Sequence, residues 1–513
     1  MKIVNHWIYR IGILLLFWNY VHAADFDEAV MAYDHKKFAT AFTIFKTLAQ
    51  TNHGESQAYL GKMYAKGEGI AQDYEKALHW LRLAAKKDIA RGQHGLGVMY
   101  AQGLGVPQNY VEALKWFHLA AAQNYASAQY VLGLMAQHGQ NGKQNIEEAK
   151  KWYELAAQQG YMEAQYRLGW LYKFSDIKEV KKARFWLEQA AEQNQTDAQY
   201  QLGMLYLTEK EMKQDFSKAE KWLQLAAEAE HPAAQKALGV MYANGEGVPQ
   251  SYFTAKKWLE LSAEQNFPPA QHHLGILYFN GYGVAQDYQV AKIWFEKATQ
   301  QDYAAAQSSL GIMYLEGYGV EKDEREAVKW FRFAAEQDYA NAQKILADLY
   351  SVGKGIVKDE EQAVYWYQRA AKQGQIHAQY RLGRAYAQGK GVKEDRQQAA
   401  MWFELAAKQN HREAQMCLAL LYLKGKGMTQ DFEKAAKWFE LAAKNGNADA
   451  QTYLGIMYAR GDGVEQDKIK AYSWLHRAKT QGHDEAIKQL AMIEKTMTET
   501  ELQQAKNDQE NLK

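Results

Sequence analysis

The sequence predicts an all-α solenoid, in which about twelve 36-residue copies of a two-helix repeat stack between terminal helical caps. A leucine recurs every 36 residues, with a single step of 34 residues between Leu168 and Leu202. A tryptophan recurs in the same register, and an alanine stands three residues before it in every copy. The twelve leucines, which number the copies, are Leu60, Leu96, Leu132, Leu168, Leu202, Leu238, Leu274, Leu310, Leu346, Leu382, Leu418 and Leu454.

The length and composition are those of a globular protein, and they exclude several other classes of protein. The 513 residues are 47% hydrophobic and include only five prolines, which excludes disordered and collagen-like chains. The formal net charge is +1, so long-range attraction to nucleic acid is not expected. One cysteine, Cys417, can form neither an intramolecular disulfide nor a multi-cysteine metal site.

Residues 1–23 have the three-part pattern of a secretory signal peptide. Two positive charges precede an apolar run at 11–18, and the small residues Val21 and Ala23 precede a cleavage site before Ala24. A membrane anchor is the alternative, but a span needs about 20 apolar residues. We therefore expect a mature chain without an integral membrane span, exported to the periplasm or secreted if the source is bacterial.

Each copy contains two helices, as copy ten illustrates. In the first helix, apolar residues recur at helical spacing between Ala378 and the turn residue Gly389. Gly389 and Gly391 suit a turn that needs positive φ angles, and Asp395 suits the N-cap of the second helix. Neighbouring copies must stack, because one helix pair cannot bury its own apolar face. We expect the tryptophan of each copy to fill the space between helices, with Trp294 buried in a central copy.

The two ends depart from the repeat, as terminal copies of a solenoid do. Residues 24–53 lack the glycine and the tryptophan, and predict an N-terminal helical cap before the repeats at 54–483. Residues 484–513 begin like another first helix and run into a charged tail. This segment predicts a C-terminal helical cap with a solvated tail, and disorder is the alternative for the tail.

The shared motifs are A-x-x-x-L-G-x-x-Y in the first helix, G-x-G-V in the turn and A-x-x-W-x-x-x-A-A in the second helix. They resemble the Sel-one-like repeat family, a relative of the tetratricopeptide repeats. The resemblance implies a right-handed superhelix whose concave face binds proteins, and adaptor roles in complex assembly, envelope biogenesis or host-cell contact. Some relatives described as β-lactamases carry a disulfide in each repeat, so their chemistry is not transferred to a chain with only Cys417.

Catalytic, metal and cofactor sites are not expected. Ser-x-x-Lys occurs at 175–178 and 351–354, but both hits fall in turns and lack the partner motifs of β-lactamases. No His-Glu-x-x-His pattern exists, and the adjacent His272 and His273 point about 100° apart on a helix. We expect the histidines to be surface residues and Cys417 to be an isolated thiol. An envelope enzyme that acts on peptidoglycan remains the rival interpretation, and a passive spacer is a third.

A candidate partner site lies on copies three to five, which together lose the shared turn. Counting from the first-helix alanine that is Ala378 in copy ten, offsets 2, 6, 9 and 10 form a variable face opposite the core stripe. By resemblance this variable face lines the concave groove, and Tyr and Trp commonly anchor protein interfaces. Drift in tolerant loops and packing by the next repeat are the alternatives. The candidate residues are Tyr130, Tyr166, Trp170, Lys173, Phe174 and Tyr200. We expect an exported, non-enzymatic scaffold that binds a protein or peptide there.

Overall fold

The structure is a computed structural model that describes residues 25–140, 142–174, 179–208 and 214–510. Every regular element in these residues is a helix, and successive helices pack in pairs, which confirms an all-α solenoid of two-helix repeats. The predicted signal peptide and the Ser-x-x-Lys hit at 175–178 lie outside the described residues.

The chain forms two compact units, at residues 1–250 and 251–513. The helices described in the first unit are α1 (25–34), α2 (Phe38–Gln50), α3 (Gly54–Lys66), α4 (Tyr74–Lys86), α5 (Ala90–Gln102), α6 (Tyr110–Ala122), α7 (Ala126–His138), α8 (Ile146–Gln158), α9 (Met162–Phe174), α10 (Val180–Glu192), α11 (Thr196–Thr208), α12 (Phe216–Glu228) and α13 (Pro232–Asn244). Those described in the second are α14 (Tyr252–Glu264), α15 (Pro268–Asn280), α16 (Tyr288–Thr299), α17 (Ala304–Glu316), α18 (Glu324–Glu336), α19 (Ala340–Val352), α20 (Glu360–Lys372), α21 (Ile376–Gln388), α22 (Arg396–Lys408), α23 (Arg412–Lys424), α24 (Phe432–Lys444), α25 (Ala448–Arg460), α26 (Lys468–Thr480), α27 (Asp484–Glu494) and α28 (Glu499–Glu510).

Helix boundaries follow the capping chemistry of the sequence. The Asp395 carboxylate accepts hydrogen bonds from the backbone N–H groups of Gln397 and Gln398, both at 2.9 Å, at the start of α22. Second helices end before a residue in the left-handed region, such as Gly374 with φ 85° or Asn410 with φ 66°. The short polar or glycine residues at these positions therefore terminate each helix at the same place in the repeat.

The second glycine of the turn is required by contact between copies as well as by conformation. Gly391 has φ 67°, and a Cβ built on it would lie 2.0 Å from the backbone oxygen of Glu360. Glu360 begins the second helix of the preceding copy, so the turn of one copy rests directly on that helix. A larger residue at Gly391 would push the two copies apart.

The residue after each tryptophan, and not the tryptophan itself, is the large side chain of the second helix that lies deepest in the core. These residues are at most 5% exposed, and they are Leu81, Phe117, Tyr153, Leu187, Leu223, Leu259, Phe295, Phe331, Tyr367, Phe403, Phe439 and Leu475. Trp222 and Trp366 are buried, whereas the other ten repeat tryptophans are half-buried. The expectation that Trp294 is buried is therefore wrong.

Helix geometry explains this correction. Ala291, Phe295 and Ala298 lie at i, i+4 and i+7, which places them on one stripe facing α15. Trp294 precedes Phe295 by one residue and points about 100° away from that stripe. Its ring packs at the edge of a cluster that includes Leu259 on the preceding second helix, and the Lys297 ammonium lies 4.0 Å from its ring centroid.

The glycine that follows the repeat leucine makes room for this buried side chain. A Cβ built on Gly275 in α15 would lie 2.5 Å from Cε1 of Phe295 in α16. Gly97 meets Phe117 in the same way at 2.7 Å. The first and second helices of a copy therefore approach closely because one of them lacks a side chain at the contact.

The ends of the chain cover the outermost repeats with helices. In α2, Phe45 is fully buried and stacks on Tyr59 with ring centroids 4.6 Å apart. At the other end α28 packs against α26, and Ala505 is fully buried in the cluster formed there. Part of the charged C-terminal segment thus forms an ordered helix with an apolar contact.

Replacing the buried ring should be more damaging than replacing the repeat tryptophan. We expect Phe295→Ala to lower the local free energy of opening of α15 and α16 by about 3–5 kcal/mol, because it leaves a cavity in the core. Trp294→Ala should cost about 1–2 kcal/mol, because that ring is already half-exposed. Native-state hydrogen exchange of the two helices measures both values. An equal or larger loss for Trp294→Ala would show that the tryptophans carry the core.

Candidate functional site

Two of the three candidate tyrosines, Tyr130 and Tyr200, contact the following copy. The ring of Tyr130 lies 5.3 Å from that of Tyr161, and Tyr200 stacks on His231 at 4.6 Å. Each partner ring immediately precedes the first helix of the following copy. Tyr166 is half-buried at the same offset, and burial raises the pKa of the Tyr166 and Tyr200 hydroxyls. Tyr130 and Tyr200 therefore join neighbouring copies, and all three tyrosines present only part of their surface to solvent.

Trp170, Lys173 and Phe174 form a separate group near the end of α9. The Trp170 and Phe174 rings lie one helical turn apart with centroids 5.1 Å from each other, and Phe174 is 54% exposed. The Lys173 ammonium lies 4.9 Å from the Phe174 ring and donates a 2.8 Å hydrogen bond to Gln201 Oε1 in the next copy. We call Trp170 and Phe174 the aromatic pair.

The six candidate residues therefore do not make one continuous surface. Tyr130 and Trp170 border the same core cluster, while Tyr200 lies against the following copy. The aromatic pair is the part of the candidate site that offers exposed apolar area. Its position next to a cation allows both apolar contact and a charged hydrogen bond with a bound chain.

A column of buried glutamines is a feature that the sequence reasoning missed. Glutamine occupies offset 1 of the first helix in all twelve copies, and each one is at most 4% exposed. The same residue stands at this offset in every copy, and that regularity indicates a structural role for the glutamine. The residues are Gln57, Gln93, Gln129, Gln165, Gln199, Gln235, Gln271, Gln307, Gln343, Gln379, Gln415 and Gln451.

Several of these side chains connect three helices by hydrogen bonds, as Gln343 shows. Gln343 Nε2 in α19 donates to the backbone oxygen of Ala335 in α18, at 2.9 Å. Gln343 Oε1 accepts a 2.9 Å hydrogen bond from Gln373 at the end of α20. The same link to the preceding helix recurs in ten copies of the described chain. A buried amide satisfied on both sides fixes the register between copies.

The candidate catalytic residues in the described part of the chain are not arranged for catalysis. The Ser351 hydroxyl donates to the backbone oxygen of Asp348 at 2.8 Å, and the Lys354 ammonium lies 3.8 Å from the Glu324 carboxylate. Burial raises the pKa of Cys417 to about 11, which disfavours the reactive thiolate. The described residues contain no group of three side chains that could hold a metal ion.

The expectation of surface histidines is wrong for at least two of them. His272 is 8% exposed and lies 5.5 Å from Phe295 and 5.6 Å from Tyr303, measured between ring centroids. His411 is equally buried, stacks on Tyr380, and its ring accepts a hydrogen bond from the backbone N–H of Ala414. Both residues occupy the contact between copies, where flat rings pack well.

Comparison with protein families identifies the repeat. The Sel1 repeat model matches twelve segments, at 54–89, 90–125, 126–161, 163–195, 196–231, 232–267, 268–303, 304–339, 340–375, 376–411, 412–447 and 448–483. The chain belongs to the Sel1 repeat family. Each Sel1 repeat contains one first helix and one second helix, and ends near the left-handed residue described above.

Two solved structures are similar to this Sel1 repeat chain. A protective antigen of uropathogenic Escherichia coli strains that displays an SLR fold is 34% identical, with 84% of this chain and 92% of that chain covered and a TM-score of 0.51. A Sel1 repeat protein from Oxalobacter formigenes is 36% identical, with 60% and 90% covered and a TM-score of 0.45. No curated protein matches the chain. In the described residues, no helix has both the length and the apolar character needed to cross a membrane.

Loss of a buried glutamine should weaken the contact between Sel1 repeats. We expect Gln343→Met, which keeps the side-chain length, to lower the local stability of α18 to α20 by about 1–3 kcal/mol, because its buried hydrogen bonds are lost. The matched control is Gln362→Met on the exposed side of α20, which should change stability little. Hydrogen exchange of these helices measures both effects. Equal stability of the two variants would mean that the glutamine column does not hold the copies together.

Proposed function

We propose that this protein is an exported, non-enzymatic scaffold that binds a protein or peptide partner on the variable face of copies three to five. Sel1 repeat proteins are protein-interaction scaffolds, and twelve such repeats occupy residues 54–483. The near-zero net charge also suits a protein partner better than nucleic acid.

The observation that carries this proposal is the aromatic pair on α9. More than half of Phe174 is accessible, and Trp170 lies beside it on the variable face of a copy that lacks the shared glycine turn. Covering exposed aromatic surface is favourable, and Trp is enriched among residues that dominate binding energy. A partner segment with apolar side chains could cover the pair while a backbone carbonyl accepts a hydrogen bond from Lys173.

Packing alone is the alternative role for Trp170, and the structure supplies a matched test residue. Ile312 occupies the same offset in copy eight, is 36% exposed, and belongs to a copy with an ordinary turn. If offset 6 serves packing in every copy, replacing Trp170 and replacing Ile312 should change the affinity for the partner by the same amount. If Trp170 is a binding anchor, only its removal should weaken the complex.

We expect Trp170→Ala to weaken binding of a purified partner by about 2 kcal/mol, roughly thirtyfold, because the central aromatic contact is lost. The partner is first captured from the cell envelope with the wild-type chain. Isothermal titration of the captured partner against each variant then gives the two dissociation constants.

Ile312→Ala is the control, and its affinity should stay within about twofold of wild type. Helical circular dichroism of both variants should be unchanged, because Trp170 lies outside the leucine, glycine and buried second-helix columns. An equal loss of affinity in both variants, or a loss that accompanies unfolding, would contradict a site at the aromatic pair. A chain that captures no partner would instead favour a passive spacer.

Export is proposed from the first 23 residues and from one relative. The short apolar run and the small residues Val21 and Ala23 suit signal peptidase. The similar Escherichia coli protein is described as a protective antigen, which supports a location outside the cytoplasm.

Expression in a bacterial host should yield a mature chain that begins at Ala24. Intact-mass measurement of the exported fraction should show the loss of the 23 preceding residues. Retention of Met1 on chains in the membrane fraction would contradict cleavage and favour an anchor.

A further inference from the structure

A pocket of about 690 Å³ opens between the first helices of copies one and two, α3 and α5. Small residues create this space. Ala58 stands at offset 2, where copies three to five carry tyrosines, and Gly95 stands at offset 3, where copy four carries Arg167. The pocket volume is typical of a ligand site.

The pocket combines an apolar floor with positively charged walls. Val98 and Leu104 supply the partly exposed apolar lining, above the buried side chains of Leu81 and Met99. The cationic side chains that line it are Lys62, Lys66 and Arg91, against one lining carboxylate, Glu68. Such a lining suits a ligand that carries a negative charge next to an aliphatic group.

One of the three cations has no carboxylate partner. The Arg91 guanidinium lies 3.3 Å from Glu55, and the Lys66 ammonium lies 3.6 Å from Glu68. Lys62 makes no ion pair within 4 Å in the described residues, and its ammonium lies over the Tyr33 ring at 4.7 Å. Burial lowers the pKa of Lys62, Lys66 and Arg91 act in the same direction, and Glu68 and Asp34 act against it. An anion bound within ion-pair distance would stabilise the charged form of Lys62.

A buried histidine nitrogen in the same pocket is also unsatisfied. His94 lines the pocket, packs between Phe117 and Tyr125, and its Nδ1 is buried without a hydrogen-bond partner. Burial, with Arg91 and Lys62 nearby, lowers the pKa of His94 to about 4, so the ring is neutral at pH 7. A buried polar atom left without a hydrogen-bond partner is costly, so the packing around His94 is a local weak point in the wall of the pocket.

We infer that this pocket is a second binding site, independent of the aromatic pair on α9, for a carboxylate that carries an aliphatic side chain beside it. The Lys62 ammonium pairs with the carboxylate, and Val98 and Leu104 contact the aliphatic group. One unpaired cation balances the single charge of a carboxylate, whereas the apolar floor disfavours a phosphate dianion. The carboxylate can belong to a peptide C-terminus or to a small acid.

Three probes distinguish a peptide C-terminus from a small acid as the source of the carboxylate. They are used in isothermal titrations of the full mature chain at low ionic strength, where charge pairing is least screened. They are acetyl-Ala-Ala-Leu with a free C-terminus, the same peptide as its C-terminal amide, and acetyl-leucine. We expect the free acid to bind at least about tenfold more tightly than the amide. Tighter binding of the tripeptide than of acetyl-leucine assigns the site to peptide C-termini, and equal binding assigns it to small acids.

Two variants test the pocket directly. Lys62→Met keeps the length of the side chain and should weaken binding of the free acid at least about tenfold. Val98→Trp places at offset 6 the residue that copy four carries there, and should abolish binding by filling the pocket. The control is Arg384→Met, which removes the cation at offset 6 of copy ten and should leave the affinity unchanged.

Several outcomes would overturn the inference. Equal affinity for acid and amide, unchanged affinity in Lys62→Met with an intact helical spectrum, or no binding of any probe would each do so. Inorganic phosphate that displaces the peptide at equal concentration would show an unselective anion site instead. Trp170→Ala should not change the affinity measured in these titrations. If the pocket proposal fails, the proposed partner site at the aromatic pair is therefore still judged by its own experiment.

Discussion

The close approach of the two helices within each copy is the constraint on which the rest of the structure depends. A glycine on the first helix faces a fully buried leucine or aromatic residue on the second, as Gly275 faces Phe295. The missing side chain allows the large one to fill the space between the helices at high packing density. In two copies a buried alanine, Ala347 or Ala419, replaces the glycine. The contact therefore accommodates one methyl group, and no copy has a larger residue at this position.

Contacts between copies use different chemistry from contacts within a copy. The glutamine at offset 1 carries hydrogen bonds from one second helix to the next, and the second turn glycine lets one copy rest on the backbone of its neighbour. Because these buried positions hold the register, the residues at offsets 2, 6, 9 and 10 can vary. Phe174 in copy four and Ala58 in copy one use this freedom in opposite ways, as an exposed ring and as the opening of a pocket.

Much of the fold could be predicted from the sequence because it is local chemistry repeated twelve times. The caps such as Asp395 and the turn residues such as Gly391 behave as their chemistry requires. The depth of burial was not predictable from the tryptophan column, because the deeper position changes identity between Leu, Phe and Tyr and so forms no visible motif. The split of the candidate site also depended on structure. Ring contacts such as Tyr130 with Tyr161 and Tyr200 with His231 join residues 31 positions apart, and this shared pairing follows from how one copy stacks on the next, which the helical pattern of a single copy does not show.

A double-mutant cycle on one glycine contact tests most directly whether the glycine column permits the close approach of the two helices. A Cβ on Gly383 would lie 2.7 Å from Cδ1 of Phe403, and Gly383→Val and Phe403→Ala change the two sides of that contact. Hydrogen exchange of α21 and α22 gives the local stability of the single and double variants. If the glycine makes room for the ring, Gly383→Val should lower this local stability less in the Phe403→Ala variant than in the wild-type chain, with a coupling free energy of about 1–3 kcal/mol. Additive effects would show that the glycine column does not serve the approach of the two helices.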